Sequence, residues 1–106
     1  MTKVPGSTVT VREADVFDLH THLAFYADPA AAARELAAEG VGSLCATVTP
    51  DEFERARAAL CGVAGVRMGV GLHPWWLADG HCDEADARRA AELAAESRYV
   101  AEVGLD

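Results

Sequence analysis

The strongest constraint on the fold is the alternation of strand-like and helix-like segments along most of the chain. Strands that alternate with helices of this length are typical of βαβ units, in which the strands run parallel and the crossovers are right-handed. We therefore predict an α/β fold with four adjacent parallel strands in sequential order and three helices on one face of the sheet. The strands are predicted over residues 16–22, 42–49, 67–73 and 100–105.

Each helix-like segment begins with residues that favour a helix start. Asp28 is followed by Pro29, which suits the first helical position, and Asp83 opens the third segment. Thr49 and Glu52 have the spacing of a capping box. These signals predict helices within residues 28–40, 49–60 and 83–97.

Alternate positions of the predicted strands differ in polarity. One set is apolar, as expected for the face that the helices cover: Phe17, Leu19, Leu44, Ala46, Val48, Met68, Val70, Leu72, Ala101, Val103 and Leu105. The other set is polar or small: Asp18, His20, His22, Ser43, Cys45, Thr47, Thr49, Gly69, Gly71, His73, Glu102, Gly104 and Asp106. A doubly wound sheet is apolar on both faces, whereas the functional groups of a (β/α) barrel gather at the C-terminal strand ends. The pattern therefore favours a parallel (β/α) barrel of TIM type.

The stretch FDLHTHL places Asp18, His20 and His22 at alternate positions of an apolar strand, where they are predicted to share one face. Two histidines in this arrangement can bind one cation from one side, although such a pair alone is as often structural. Glu102 has matching parity on the fourth strand and adds a carboxylate, which moves the preference towards harder ions. The sequence predicts a metal site formed by His20, His22 and Glu102.

Composition and charge limit the alternatives. The net charge of −8 argues against a protein that coats nucleic acid, but bound cations can reverse the local field, so a nucleic-acid substrate is not excluded. The three cysteines are widely spaced and form no CxxC, which argues against a disulfide framework or a cysteine zinc site. No apolar run is long enough to span a bilayer and no signal peptide is recognisable, so a cytoplasmic protein is expected.

Three motifs resemble those of a known family. FDLHTHL, VGLHP and AEVGLD, in this order at the ends of the first, third and fourth strands, are similar to the TatD family of metal-dependent hydrolases. These are amidohydrolase-like TIM barrels that include deoxyribonucleases. The resemblance implies that His20 and His22 bind one divalent ion and that Glu102 bridges to a second, with Mg, Mn or Zn as the metal. It covers about residues 16–106, which leaves residues 1–15 as a lead-in.

The chain differs from this family in length. Family members are more than twice as long, and their remaining ligands, two histidines and an aspartate on later strands, have no counterpart here. Residues 16–106 are therefore expected to be the N-terminal half of a barrel, whose C-terminal half, in the same or another chain, is needed to complete the site. The complete barrel is expected to hydrolyse phosphodiester bonds in DNA, although amide or lactone substrates stay open. The alternative is a truncated, non-catalytic fragment or an interaction module.

The predicted catalytic residues are Glu102, His73 and Asp106. His73, before Pro74, either shapes the turn after the third strand or lines the pocket and touches substrate. Asp106 points inward by parity and is expected to hydrogen-bond a metal-bound water or a ligating histidine.

Trp75 and Trp76 follow on the predicted rim of the site. They either stack on a nucleobase or pack against a neighbouring loop. His81 and Cys82 lie in a loop with acidic neighbours, and we interpret them as an adventitious surface pair.

Overall fold

The computed structural model describes residues 15–104. The alternating segment at residues 8–13, which the sequence suggests as a short edge strand, lies outside this range, as do Leu105 and Asp106. Four parallel strands form one sheet in the order β1-β2-β3-β4, as predicted, with helices between them. This is the α/β arrangement of the first four strands of a TIM-type barrel. The strands are β1 (Val16–Thr21), β2 (Val41–Ala46), β3 (Val66–Val70) and β4 (Tyr99–Val100).

The crossovers contain the three predicted helices and two further short ones. The 3-10 helix at Leu23–Phe25 and α3 were not predicted, because three to five residues are too few to show helical periodicity. The α-helices are α1 (Pro29–Ala38), α2 (Pro50–Ala59), α3 (Pro74–Ala78) and α4 (Glu84–Glu96). Among residues 15–104, no helix is sufficiently long and apolar to cross a membrane.

The helix starts match the sequence signals. The side chains of Asp28, Thr49 and Asp83 accept hydrogen bonds from backbone N–H groups in the first turns of α1, α2 and α4. In α4, Asp83 and Asp86 form a reciprocal capping box. Glu52 differs from the predicted box, because its Oε1 atom accepts from the N–H of Val48, at 2.9 Å, instead of from Thr49.

The strands are shorter than predicted at their C-terminal ends, and β4 has only two residues. Pairing with β3 nevertheless continues irregularly beyond it. The N–H of Ala101 donates to the carbonyl of Val70, and the N–H of Leu72 donates to the carbonyl of Glu102, each at 2.7 Å. These two bonds fix the segment that carries Glu102 against the end of β3.

The predicted division into an apolar face and a site face is wrong in β2. Cys45, expected on the site face, is fully buried in the core between α1 and α2, beside Ala33, Ala56 and Leu60. Met68, its partner in register on β3, packs against the same cluster. A free cysteine behaves as a small apolar residue. Because Cys45 was grouped with the polar residues, the buried side of β2 was predicted incorrectly.

The helices also fail to cover the outer strands. Helix α1 packs on β2, while α2 and α4 pack on β3. On β1 and after β4, apolar residues that were predicted to be covered are exposed, with 70% of Leu19 and 60% of Val103 accessible to solvent. The core therefore lies over the two central strands.

Candidate metal centre

Four side chains with metal-binding or acid–base chemistry meet at the C-terminal ends of the strands. His20 lies near the end of β1 and His22 directly follows it. His73 follows β3, and Glu102 follows β4. In (β/α) barrels this is the edge at which functional groups gather. The sheet thus brings together residues that are up to 82 positions apart in the sequence.

His20, His22 and Glu102 converge through one atom each. The Nε2 atoms of the two histidines are 3.2 Å apart. The Oε2 atom of Glu102 lies 3.1 Å from Nε2 of His20 and 3.5 Å from Nε2 of His22. Ligand atoms bound at about 2.1 Å to one ion lie about 3.0–3.4 Å apart in octahedral or tetrahedral geometry. The three atoms therefore have the spacing of ligands to a single ion, and they are the residues that the sequence predicts.

The imidazole of His22 is held by two neighbours. Its Nδ1 atom lies 3.1 Å from the carbonyl oxygen of Ala46 on β2. Because a carbonyl only accepts, Nδ1 carries the hydrogen and the lone pair of the neutral ring is on Nε2, which faces the cluster. The ring of Phe25 stacks on the imidazole, with centroids 4.7 Å apart and planes inclined by 9°. The two neighbours therefore fix both the orientation of the ring and its tautomer.

Asp18 does not join the cluster. The register between β1 and β2 shifts between Asp18, which pairs with Ser43, and Thr21, which pairs with Cys45. This irregularity interrupts the alternation on which the predicted common face depends. The Oδ1 atom of Asp18 accepts a hydrogen bond from the backbone N–H of His20, at 3.0 Å. Asp18 thus supports the backbone of the segment that carries the histidines.

His73 shapes the turn after β3 and also lines the cavity, while its contact with substrate stays a prediction. Its Nδ1 atom accepts a hydrogen bond from the N–H of Trp75, at 3.1 Å, and so caps α3. In the neutral ring the hydrogen is then on Nε2, which lies 4.0 Å from Oε1 of Glu102. The side chain therefore shapes the turn after β3 and also presents a donor beside the cluster.

Gly71 allows the backbone of Glu102 to approach β3, which the sequence analysis did not recognise. A Cβ atom at position 71 would lie 2.3 Å from the carbonyl oxygen of Thr47 and 2.8 Å from both N and O of Glu102. These are backbone atoms that cannot rotate away. A glycine between two strand-end residues in VGLHP is the only sequence signal of this close approach.

A cavity of about 350 Å³ opens beside the cluster. Its walls are mostly apolar, and no Lys or Arg of the described residues lines it. The lining residues are His22, Phe25, Val48, His73, Trp75, Trp76, Asp79 and Glu102.

The two tryptophans differ in their surroundings. Trp75 is 64% exposed, and its ring meets that of His73 edge-on at 5.1 Å. Trp76 is half-buried and packs edge-on against His81 at 4.8 Å. Trp75 is therefore available to a ligand, whereas Trp76 anchors the loop that follows α3.

His81 and Cys82 do not form a surface pair. His81 is exposed, with Nδ1 2.9 Å from Oδ1 of Asp79, and its backbone N–H donates to the same oxygen. These two bonds lower the pKa of Asp79. Cys82 is buried, which raises the pKa of its thiol.

Comparison with known proteins gave one family. The family model described as TatD related DNase matches residues 17–106. A search of curated proteins gave no match. The matched range includes His20, His22, His73 and Glu102, which are the four side chains at the strand ends.

Proposed function

The chain belongs to the TatD related DNase family, and from this membership we propose that His20, His22 and Glu102 hold a divalent metal ion for the hydrolysis of phosphodiester bonds in DNA. The observation that carries the proposal is the convergence of three ligand atoms, separated by 3.1–3.5 Å, at the C-terminal edge of the sheet. The tautomer of His22 supports it, because the hydrogen on Nδ1 leaves a lone pair on Nε2, the atom that lies beside His20 and Glu102.

The two histidines and the glutamate fit a divalent ion of a first-row transition metal. Two imidazole nitrogens suit zinc, and the carboxylate also accommodates manganese or magnesium. When bound, such an ion polarises a phosphoryl oxygen and lowers the pKa of a coordinated water. Glu102 would also contribute to holding a second ion, since its Oε1 atom, which faces His73, is not one of the three converging atoms. We propose that the further ligands of a two-ion site come from later barrel strands, in the same or another chain.

The other side chains of the cavity have complementary roles in this proposal. His73 donates a hydrogen bond from Nε2 to a substrate oxygen, while its Nδ1 atom stays bonded to the N–H of Trp75. Trp75 supports a base of the substrate, since its ring is exposed beside the cluster. Val48, which is 8% exposed, contributes an apolar wall that limits access of bulk water.

The absence of Lys and Arg from the described part of the cavity lining favours a second candidate. A polyanionic substrate is usually held by cationic side chains, whereas this cavity has Asp79 and Glu102 as its charged carboxylates. Hydrolysis of a neutral ester, amide or lactone by the same ion is therefore the alternative. Metal binding is common to both candidates, and only the substrate differs.

Metal content and substrate turnover test the two parts separately. The protein is incubated with zinc, manganese or magnesium and desalted, and the bound metal is measured for the wild type, His20→Ala and His81→Ala. We expect the first variant to lose the metal and the second, an exposed histidine outside the cluster, to retain it. Equal metal content in all three proteins would contradict the metal assignment.

Hydrolysis is then measured on a labelled DNA oligonucleotide and on a neutral aryl ester, each with and without EDTA. EDTA-sensitive cleavage of DNA supports the deoxyribonuclease proposal. EDTA-sensitive turnover of the ester alone favours the second candidate. If the complete barrel, with its C-terminal half present, retains its metal but turns over neither substrate, both candidates are wrong.

A further inference from the structure

Another cavity, of about 340 Å³, lies at the opposite end of the sheet from the metal cluster. It is formed where β3 and β4 begin and where α2 ends. Its lining combines three arginines with apolar and aromatic side chains: Phe53, Arg57, Val66, Arg67, Met68, Ser97, Arg98 and Tyr99.

The charge of this cavity is opposite to that of the protein. Three of the nine Lys and Arg residues line it, in a chain with a net charge of −8. Arg67 donates to the carbonyl of Val66, at 3.3 Å, and no carboxylate within residues 15–104 pairs with Arg67 or Arg98. Arg57 is 3.6 Å from Oε1 of Glu54. This carboxylate is shared with Arg89, at 2.7 Å, and therefore leaves most of the positive charge uncompensated.

Helix termini explain only part of this charge. Arg57 lies in the last turn of α2 and Arg98 follows the end of α4, where a cation interacts favourably with the helix dipole. Arg67 is the second residue of β3, away from any helix end, and its side chain is exposed. Its presence beside the other two arginines requires a different reason.

The rest of the cavity suits an apolar body. Phe53 is 2% exposed and supports Arg57, whose guanidinium carbon lies 5.0 Å from the ring centroid. Val66 and Met68 are half-buried next to it. A volume of about 340 Å³ is at the lower limit of small-molecule sites. The ligand is therefore small, with one compact anionic group.

We propose that this cavity binds a small organic phosphate. The three guanidinium groups hold the phosphate through paired N–H donors, for which their planar geometry is suited. The apolar part of the ligand lies against Phe53 and Met68. The site is separate from the metal cluster and does not depend on the proposed hydrolysis.

Calorimetric titration with phenyl phosphate tests the proposal. EDTA is present throughout, so that a phosphate bound to metal at the other end of the sheet makes no contribution. We expect saturable binding to one site by the wild type, and no binding of phenol, which lacks the phosphate. The double variant Arg67→Ala, Arg98→Ala is expected to bind at least about tenfold more weakly, because charge-assisted hydrogen bonds are lost.

The matched control is the double variant Arg55→Ala, Arg88→Ala. It removes the same net charge from exposed helix surfaces, where the two arginines pair with Asp51 and Glu84. Wild-type affinity is expected in this protein. Absence of saturable binding to the wild type, or equal affinity of the two double variants, would overturn the proposal. A chemical-shift titration of the wild type gives an independent readout, and changes centred on His20 and His22 in place of Ser97 and Tyr99 would also overturn it.

Discussion

The Nδ1 atom of His22 lies 3.1 Å from the carbonyl oxygen of Ala46 on the neighbouring strand. This contact couples the fold to the chemistry of the cluster. The carbonyl belongs to the end of β2 and has a fixed position, so that it selects the tautomer of His22 and leaves Nε2 unprotonated for an ion. In the proposed metal site, the sheet would therefore prepare His22 as a ligand.

Substitutions of His22 can distinguish the role of Nδ1, which contacts Ala46, from that of Nε2, which faces the cluster. In His22→Asn the side-chain amide keeps a donor near the position of Nδ1 but has no atom at the position of Nε2. We expect this variant to lose the metal with little change in the free energy of unfolding. His22→Ala is expected to lose the metal and also about 1 kcal/mol of stability, because the hydrogen bond to Ala46 is removed. Metal analysis and urea unfolding measure the two effects, and retained metal in the Asn variant would contradict the assignment of Nε2.

Gly71→Ala is expected to disturb Glu102 through the backbone. Its Cβ would lie 2.8 Å from N and O of Glu102, so the strand must shift, at a cost of about 1–3 kcal/mol. We expect metal binding to be lost as well. Gly80→Ala is the control: its backbone φ of +86° disfavours alanine, yet nothing lies within 4 Å of the new Cβ. It should lose about 1–2 kcal/mol of stability but retain the metal, and loss of metal from both variants would show that destabilisation alone is responsible.

The sequence was sufficient to predict the sheet order, the three long helices with their N-caps, and the meeting of His20, His22 and Glu102. These features depend on local signals, or on the rule that parallel strands end at one edge. Residues far apart in the chain can be assigned to this edge without knowledge of any side-chain contact.

Features that depend on irregular backbone were not predictable in this way. The alternation rule assumes a regular strand, so it could not reveal the register shift that separates Asp18 from His20. It also misassigned Cys45, because a small thiol suits either face of a strand. The carbonyl of Ala46 and the close approach at Gly71 involve backbone atoms, which leave little trace in the residue pattern.

Thiol reactivity checks the corrected orientation of β2. Cys61 is exposed, whereas Cys45 and Cys82 are buried and burial raises the pKa of both thiols. Because the thiolate is the reactive form, we expect one thiol of the native protein to react quickly with an aromatic disulfide reagent and the other two at least about tenfold more slowly. All three should react quickly in denaturant. Cys61→Ser is expected to remove the fast phase. Rapid labelling of Cys45 would contradict its burial between α1 and α2.

The cap of α4 makes its contribution to stability dependent on pH. The backbone N–H of Asp86 lowers the pKa of Asp83 below its ordinary value. A carboxyl group whose pKa is lower in the folded state contributes stability above its unfolded pKa, and this contribution is lost as the pH falls through the folded pKa. The difference in unfolding free energy between the wild type and Asp83→Ala should therefore shrink on acidification below about pH 4. Asp83→Asn, which also caps but does not titrate, should keep its advantage over Ala at low pH, and parallel curves for all three proteins would contradict this role.

Trp75 is expected to act on substrate binding and not on the metal. It is 64% exposed on the cavity wall, and its ring meets that of His73 edge-on. Stacking of a base on an aromatic ring contributes about 1–3 kcal/mol, which corresponds to a rise in KM of about 5- to 150-fold in Trp75→Ala. Its metal content and kcat should change little, while Trp75→Phe should restore most of the affinity.

Tyr26→Ala is the control, because Tyr26 is also an exposed aromatic residue but does not line the cavity. Equal KM values for the Trp75 and Tyr26 alanine variants would exclude Trp75 as a substrate contact.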